Sequence, residues 1–383
     1  MTRYLLTRLV SGLVLLLFYI SLLFFIIQLS LPGDFVSVHI LGLTLQQAEE
    51  LRAELGLDKP LIQRYFVWLG DLLRGDLGNS FTTFGQGGPV IDIIKATLPV
   101  TLLMFGLGTI IAFLLGQWLG KVAAWRGPGM ISGTATFASI ALYTCFPPWL
   151  AFLVLSISSW VSGRPMIFGM RQSFRPPGSQ DASIMAQMLT GLAVAALLSI
   201  LIHTLLRRTR FRKLPSWLYF VFLALFWVLS WFVYNIPQDA WRILKDIALP
   251  VAAFTMLSFG EIMLIMRTSM VDTLHEEYIT TARAKGLRNR VVRDHHAART
   301  ALLPVTSRLV ISLPFVFSGM VMIEKTLNVQ GIGTTLFYAV GMQNVPLALG
   351  TMIIIGLIAV GSRLLLEVMQ VALDPRIRSQ SNV

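Results

Sequence analysis

Eight long apolar runs, separated by shorter polar or charged segments, set the pattern of this chain: residues 9–31, 98–120, 131–160, 187–206, 217–234, 247–267, 305–323 and 346–371. Each approaches or exceeds the ~20 helical residues needed to cross a hydrocarbon core of ~30 Å. The pattern predicts an all-α polytopic membrane protein with about eight transmembrane helices. The first run follows Arg3 and Arg8, yet it is longer than the ~7–15 residues of a signal-peptide core and no small-x-small cleavage site follows, so it reads as a retained span.

Between the first two runs the period becomes amphipathic. Thr44-Leu45-Gln46-Gln47 has the spacing of a capping box, and Leu45, Ala48, Leu51 and Leu55 then share one helical face. Pro60 suits the first turn of a second helix, striped by Leu61, Tyr65, Leu69, Leu72 and Leu73. Two short helices lying on the membrane or on each other, and a cap that meets a soluble partner, both fit this segment.

Composition agrees with the pattern: 55% of residues are hydrophobic and 13% charged, about half the usual soluble share of ~25%. Lys and Arg flank alternate ends of the runs. With both termini cytoplasmic, the inner segments hold Arg3 and Arg8, Lys121 and Arg126, the cluster Arg207 to Lys213, the basic residues from Arg267 to Arg299, and Arg376 and Arg378. The net charge of +12 is therefore a topology signal. A pI near 10.3 would suit nucleic acid, but charge spread over inner loops speaks against that partner and for the anionic lipid surface. The single cysteine, Cys145, excludes an internal disulfide.

Signatures of chemistry are weak. Gly116-Gln117-Trp118-Leu119-Gly120-Lys121-Val122 imitates a phosphate loop but is one residue short and lacks the Ser or Thr after Lys121. It reads better as a small-xxx-small packing face. His295-His296 lacks the i, i+4 spacing of a zinc helix. No cofactor or metal is expected on this chain. Glu261, Arg308, Arg363 and Glu367 lie toward the cytoplasmic ends of their spans and Glu324 at the end of the seventh, so pairing between helices is favoured over lining a path; Glu261, Arg308 and Glu324 are the candidate pathway or gating residues.

The most specific segment is a charged island, Glu277-Tyr278-Ile279-Thr280-Thr281-Ala282-Arg283-Ala284-Lys285-Gly286-Leu287, followed by His296 to Pro304. A short helix stopping at a left-handed glycine, then a second basic helix leading to Pro304 at the next span, is the expected form. Tyr278, Ile279 and Ala282, with Leu287 beyond the glycine and Arg283 and Lys285 around them, would make a small amphipathic docking surface for an acidic-rimmed groove.

This order of residues resembles the coupling (EAA) loop of ABC transporter membrane subunits, in the dipeptide and oligopeptide permease family. Arg267-Thr268-Ser269-Met270, Glu324, Gly331-Ile332-Gly333 and Leu373-Asp374-Pro375-Arg376 extend the likeness, as do Leu51 to Leu61 and Leu72 to Gly78. Thr280 and Thr281 stand where the general EAA form has Glu and Ala, so a role resting on that Glu is not carried over. The resemblance implies a type I importer core of six spans, here with an inserted loop and two spans over 161–246. The plan is then a first span at 1–31, an extracytoplasmic segment at 32–97, spans at 98–160, the insertion, and a core at 247–383 with the coupling loop at 268–304. It implies a second homologous permease, two ATP-binding subunits carrying ATP and Mg, an extracytoplasmic substrate-binding protein and a bacterial or archaeal plasma (inner) membrane. The competing class is an ion- or proton-coupled secondary transporter, which would place ionisable groups near the midplane on broken helices.

Overall fold

The computed structural model describes residues 2–30, 33–38, 44–82, 85–163, 179–208 and 217–373. The chain runs through α1 (Thr2–Ser30), an outer layer of α2 (Phe35–Val38), α3 (Leu45–Glu54), α4 (Leu61–Leu73) and an antiparallel hairpin of β1 (Asn79–Thr82) and β2 (Gly85–Pro89), then α5 (Val90–Arg126). It continues as α6 (Met130–Thr144), α7 (Pro147–Ser162), α8 (Ser179–Arg208), α9 (Trp217–Val233), α10 (Pro237–Asp246) and α11 (Ala248–Leu274). The last part holds α12 (Glu277–Ala284), a short turn at Asn289–Val291, a π-helical turn at Val292–Ala297, α13 (Ala298–Thr326), α14 (Ile332–Gly341) and α15 (Val345–Leu373). Residues 164–178, the basic cluster from 209 onward and the Asp374-Pro375-Arg376 ending lie outside the described residues.

Every predicted apolar run lies in helix. Among the described residues five helices are long and apolar enough to cross a membrane, or six if α6 and α7 count as one span. The described apolar part of α9, Phe220–Val233, is shorter than that test requires. The run 131–160 is not one straight span. It breaks at Cys145 and Phe146, and α6 and α7 meet at 113°. The cause is local: Phe146 precedes Pro147, whose ring drives it to extended geometry, and Pro147 and Pro148 then start α7.

The bundle is organised around one seam. Gly108, Ala112, Gly116 and Gly120 recur every fourth residue along α5 and face α11. A Cβ at Gly116 would stand 2.7 Å from Ile262 Cγ2, and one at Gly120 would stand 2.7 Å from Met266 Cβ and 2.8 Å from the Met263 carbonyl. Small residues thus let two spans meet nearly backbone to backbone, with dispersion contacts replacing the hydrophobic drive that lipid does not supply. Phe254, Met263, Met266 and Met270 of α11 are fully buried along this seam.

The segment read as an insertion does not sit aside from the core. Met188 of α8, Trp231 of α9 and Ala240 and Ile243 of α10 join Leu103, Met104 and Phe254 in one cluster. Trp227 Nε1 donates to the Met188 carbonyl at 2.9 Å, and Trp231 packs with Met188 in the same cluster, so the two tryptophans bind α8 and α9 together. Arg242 of α10 pairs with Asp181 of α8 at 2.6 Å.

The outer layer follows the predicted helices closely. The Thr44 capping box is complete, with Gln47 N–H donating to Thr44 Oγ1 at 3.3 Å and Thr44 N–H to Gln47 Oε1 at 2.9 Å. Ala48, Leu51 and Leu55 are buried against Phe35 and Val36, whereas Leu45, at 81% exposed, is not on the packed face. Pro60 is the residue before α4, one position earlier than expected. Leu61, Tyr65 and Trp68 of α4 pack on Phe24 and Leu349 at the ends of α1 and α15, with Trp68 stacked on Phe24 at 5.2 Å, while Leu73 is exposed. The hairpin is absent from the apolar pattern because its strands, such as Gly85–Pro89, carry turn residues rather than alternation.

Asp34 ties this layer together, accepting hydrogen bonds from Arg52 Nε and Ser37 N–H at 2.8 Å each. Burial opposes its ionisation, but the hydrogen bonds from Arg52 and Ser37 and the Arg52 charge outweigh it, so its carboxyl lies below the ordinary 3.8. A depressed carboxylate contributes stability above its unfolded value and loses it as pH falls through the folded one. Asp34→Asn should therefore be the less stable protein at neutral pH, and the gap in melting temperature should close as pH falls below 3.8. In the seam, Gly120→Leu should cost about 1–3 kcal/mol by overpacking, whereas Gly106→Leu, with open space around it, should leave thermal stability in detergent unchanged.

Candidate functional site

Two places carry the residues singled out in the sequence: the basic end of the bundle, and the opposite end where α13 closes against α5 and α14. At the basic end α11 continues to Leu274, so Arg267 to Met270 belong to its last turns. After His275 and Glu276 the chain turns into α12, which ends in a complete Schellman arrangement. Gly286 N–H donates to the Arg283 carbonyl at 2.9 Å and Leu287 N–H to the Ala282 carbonyl at 3.4 Å. Gly286 sits at φ +73 with open space where a Cβ would stand, so it is the left-handed backbone alone that would strain a side chain there. The π-helical turn then feeds α13, which continues through Pro304 rather than beginning after it.

The inner face of α12 is not the face expected. Ile279 is 0% exposed and Ala282 5% exposed. Both point into the protein, against Met266 and Met270 of α11, Ala124 of α5, Val292 and Ala297 of the π turn, and Ala298, Ala301 and Val305 of α13. They cannot form a docking surface for another chain. A helix of eight residues laid on the ends of three spans must bury its own apolar stripe there, and positions 279 and 282 are one turn apart. Glu277, Tyr278, Thr280, Thr281, Arg283, Ala284, Lys285 and Leu287 are exposed.

Several contacts fix this outward face. Tyr278 Oη donates to Thr300 Oγ1 at 3.1 Å, tying α12 to α13. The Arg283 guanidinium lies over the Trp125 ring, 5.6 Å from its centroid, tying it to α5. Arg293 holds Asp294 with hydrogen bonds of 2.9 and 2.8 Å. These bonds set the Asp294 carboxyl below its ordinary value, against partial burial. Trp125 and Thr300 were not singled out by the motif, since a partner across a bundle leaves no trace in local spacing.

Glu261 of α11 and Arg308 of α13 pair at 2.7 Å, with Arg308 about half exposed. The interhelical pairing favoured from the sequence is the arrangement observed. The side chain of Glu367 lies outside the described residues.

Glu324 is placed differently from a path-lining group, being 0% exposed. Its Oε1 accepts from Thr101 Oγ1 of α5 at 2.6 Å, and its Oε2 accepts from Thr334 N–H at 2.9 Å and Thr334 Oγ1 at 3.1 Å. Thr101 Oγ1 also accepts Ile332 N–H at 2.8 Å. A Cβ on Gly331 or Gly333 would collide with the carboxylate, which explains why glycines flank Ile332. The knot joins α5, α13 and α14, so Glu324 acts as a brace between elements and does not line an open path. Beside it, Lys325 Nζ stands 4.0 Å from the Tyr338 ring and 4.6 Å from that of Phe337.

Comparisons with known proteins agree with this arrangement. A model of the binding-protein-dependent transport system inner membrane component matches residues 187–379, and a model of the N-terminal part of such membrane components matches residues 1–105. The first match begins inside the segment read as inserted. A dipeptide transport system permease protein of Lactococcus lactis subsp. cremoris is 27% identical over 99% of this chain and 100% of its own length. A protein of Brucella suis biovar 1 named as a peptide permease is 29% identical over 99% of both chains. One of Sinorhizobium fredii, named as a peptide ABC transporter permease, is 28% identical over 98% of this chain and 99% of its own. With both ends of the chain matched and a helix seated across three spans at the basic end, the protein belongs to the family of binding-protein-dependent transport system inner membrane components.

Proposed function

We propose that this chain is a permease subunit of an ATP-driven importer of peptides, supplying half of the translocation pathway, and that the outward face of α12 docks an ATP-hydrolysing subunit. The observation that carries this reading is the seating of α12. Its inner stripe, Ile279 and Ala282, is locked among α5, α11 and α13, while its outer face is polar, mostly basic and exposed among the described residues. A load applied there is passed to three spans at once, because close-packed contacts shift together rather than deform. The peptide substrate rests on the names of the relatives, and a second permease, two ATPase subunits with ATP and Mg, an external binding protein and the plasma (inner) membrane complete the machine.

The docking residues in this reading are Tyr278, Ala284, Lys285 and Leu287, with Gly286 setting the exit of the helix. Closure of the ATPase subunits would move α12, and with it the ends of α11 and α13, switching access from one side to the other. A carrier driven by an ion or proton gradient is less well supported. The break between α6 and α7 falls at Cys145 and Phe146, with no Asp, Glu, His, Lys or Arg at the bend, and Glu261 is paired.

The two faces of α12 should separate in experiment. Ala284→Glu combined with Leu287→Glu, both exposed, should leave the chain folded yet weaken copurification of ATPase subunits by about tenfold or more and abolish peptide uptake. Unchanged copurification and uptake in that variant would remove the docking assignment. Ala282→Leu should instead lower thermal stability by about 1–3 kcal/mol, as an overpacked core does. Uptake by proteoliposomes of the whole complex should require ATP and survive collapse of the proton gradient; uptake by this chain alone under a proton gradient would overturn the reading.

A further inference from the structure

A cavity of about 410 Å³ opens between the outer polar layer and the ends of α1 and α15. Its apolar floor includes Phe24 and Leu349 from the two spans and Trp68 from α4. Two donors line it without acceptors. Gln28 Nε2 is buried and, among the described residues, has no hydrogen-bond partner. Arg64 is half-buried, and among the described residues its guanidinium makes no ion pair or side-chain hydrogen bond. Burial holds its pKa below the ordinary arginine value, with only the more distant charge of Asp34 opposing that. Leaving such groups unpaired is costly, so the cavity is built for something that brings oxygen acceptors.

The lining also carries the complementary sign. Glu54, Asp71 and Asp76 are among its lining residues, together with Lys59, and Asp71 lies two turns beyond Arg64 on the same face of α4; Asp76 is already engaged by Gly78 N–H at 2.8 Å. Glu54 and Asp71 remain able to receive a cation. The cavity therefore offers donors for an anion and carboxylates for an ammonium group within one lining.

Its depth selects the ligand. The apolar span of α1 ends at Leu29 and that of α15 begins at Val345, and the cavity is lined by Gln28 of the one and Val345 and Pro346 of the other. It thus opens at the level where hydrocarbon gives way to headgroups, the level that Trp68 also favours. About three turns further along α1, past Phe24 and Ser21, which α4 covers, Leu17, Leu13 and Val10 are exposed on the face that carries Gln28, apolar surface of the kind an acyl chain covers. A soluble zwitterion such as a short peptide has matching end charges but no use for that surface.

We propose that this cavity holds the headgroup of an amine-bearing phospholipid, its phosphate oxygens on Arg64 and Gln28 and its ammonium toward Asp71 and Glu54. This site does not depend on which ATPase or substrate the chain serves, since it rests only on α1 and α15 crossing a membrane.

Native mass spectrometry of the full chain, released from nanodiscs containing phosphatidylethanolamine or phosphatidylglycerol, tests it. One phosphatidylethanolamine should stay bound per chain in preference to phosphatidylglycerol. Arg64→Ala should weaken retention by about tenfold or more and Gln28→Leu should weaken it less. Arg64→Lys, which keeps the charge, should restore part of the binding and keeps the test readable if Arg64→Ala folds poorly. Equal retention of lipid by folded wild type and Arg64→Ala overturns the site, and equal retention of the two lipids overturns the amine assignment. Displacement by inorganic phosphate would show a free-anion site, and displacement by dialanine a peptide subsite; either result overturns the lipid proposal.

Discussion

The close approach of α5 to α11 is the constraint on which the rest of the structure depends. In lipid, two apolar helices gain little by leaving the solvent, so their association rests on contact area, and contact area rests on small residues. Gly108, Ala112, Gly116 and Gly120 supply it along four turns of α5. Because α11 is pinned there, its last turn delivers α12 to a defined place, and the buried methionines 263, 266 and 270 fill what the glycines leave. Methionine suits such a seam, since an unbranched, polarisable chain adapts to irregular gaps.

Two braces transmit that order to the ends. At the basic end, Ile279 and Ala282 lock α12 onto three spans, and Tyr278 and Arg283 reach sideways to Thr300 and Trp125. At the other end, Glu324 gathers Thr101 and Thr334 in a dry knot closed by Gly331 and Gly333. A buried carboxylate surrounded by hydroxyl and amide donors is demanding, and its donors come from two distant stretches of chain, Thr101 of α5 and Thr334 of α14. Movement at one brace must therefore either carry the bundle with it or break hydrogen bonds that have no water to replace them. That is a reasonable construction for a subunit whose task is to change access without coming apart.

The outer layer works by other rules. It has water on one side, so polar pairing is effective: the Thr44 capping box, the Asp34 and Arg52 pair and the Ser21 to Tyr65 hydrogen bond of 2.8 Å set the angles of short helices. Its apolar stripes bind downward to Phe24 and Leu349. The cavity beneath α4 is left where that polar layer and the apolar ends of the spans cannot be packed together, which is why unpaired donors collect there.

Much of this was legible without coordinates. Apolar run length marks membrane helices because each must satisfy its backbone internally over a fixed thickness, and over the described residues each run is mainly helical, 131–160 with a break at Cys145 and Phe146. The capping box and the Gly286 stop are local backbone chemistry and were read at the residue. The bend at Phe146-Pro147-Pro148 is equally local, but the apolar pattern runs straight through it and hides it. What the letters could not decide was direction. Ile279 and Ala282 are apolar on a basic helix whether they meet a partner or their own bundle, and Glu324 is one carboxylate at the end of a span whether it faces a path or a knot. Those choices depend on which distant segments close around a side chain, Met266 and Ala301 in one case and Thr101 and Thr334 in the other. Periodicity and turn chemistry are properties of neighbours in sequence, whereas burial is a property of neighbours in space, and only the folded chain brings the second set together.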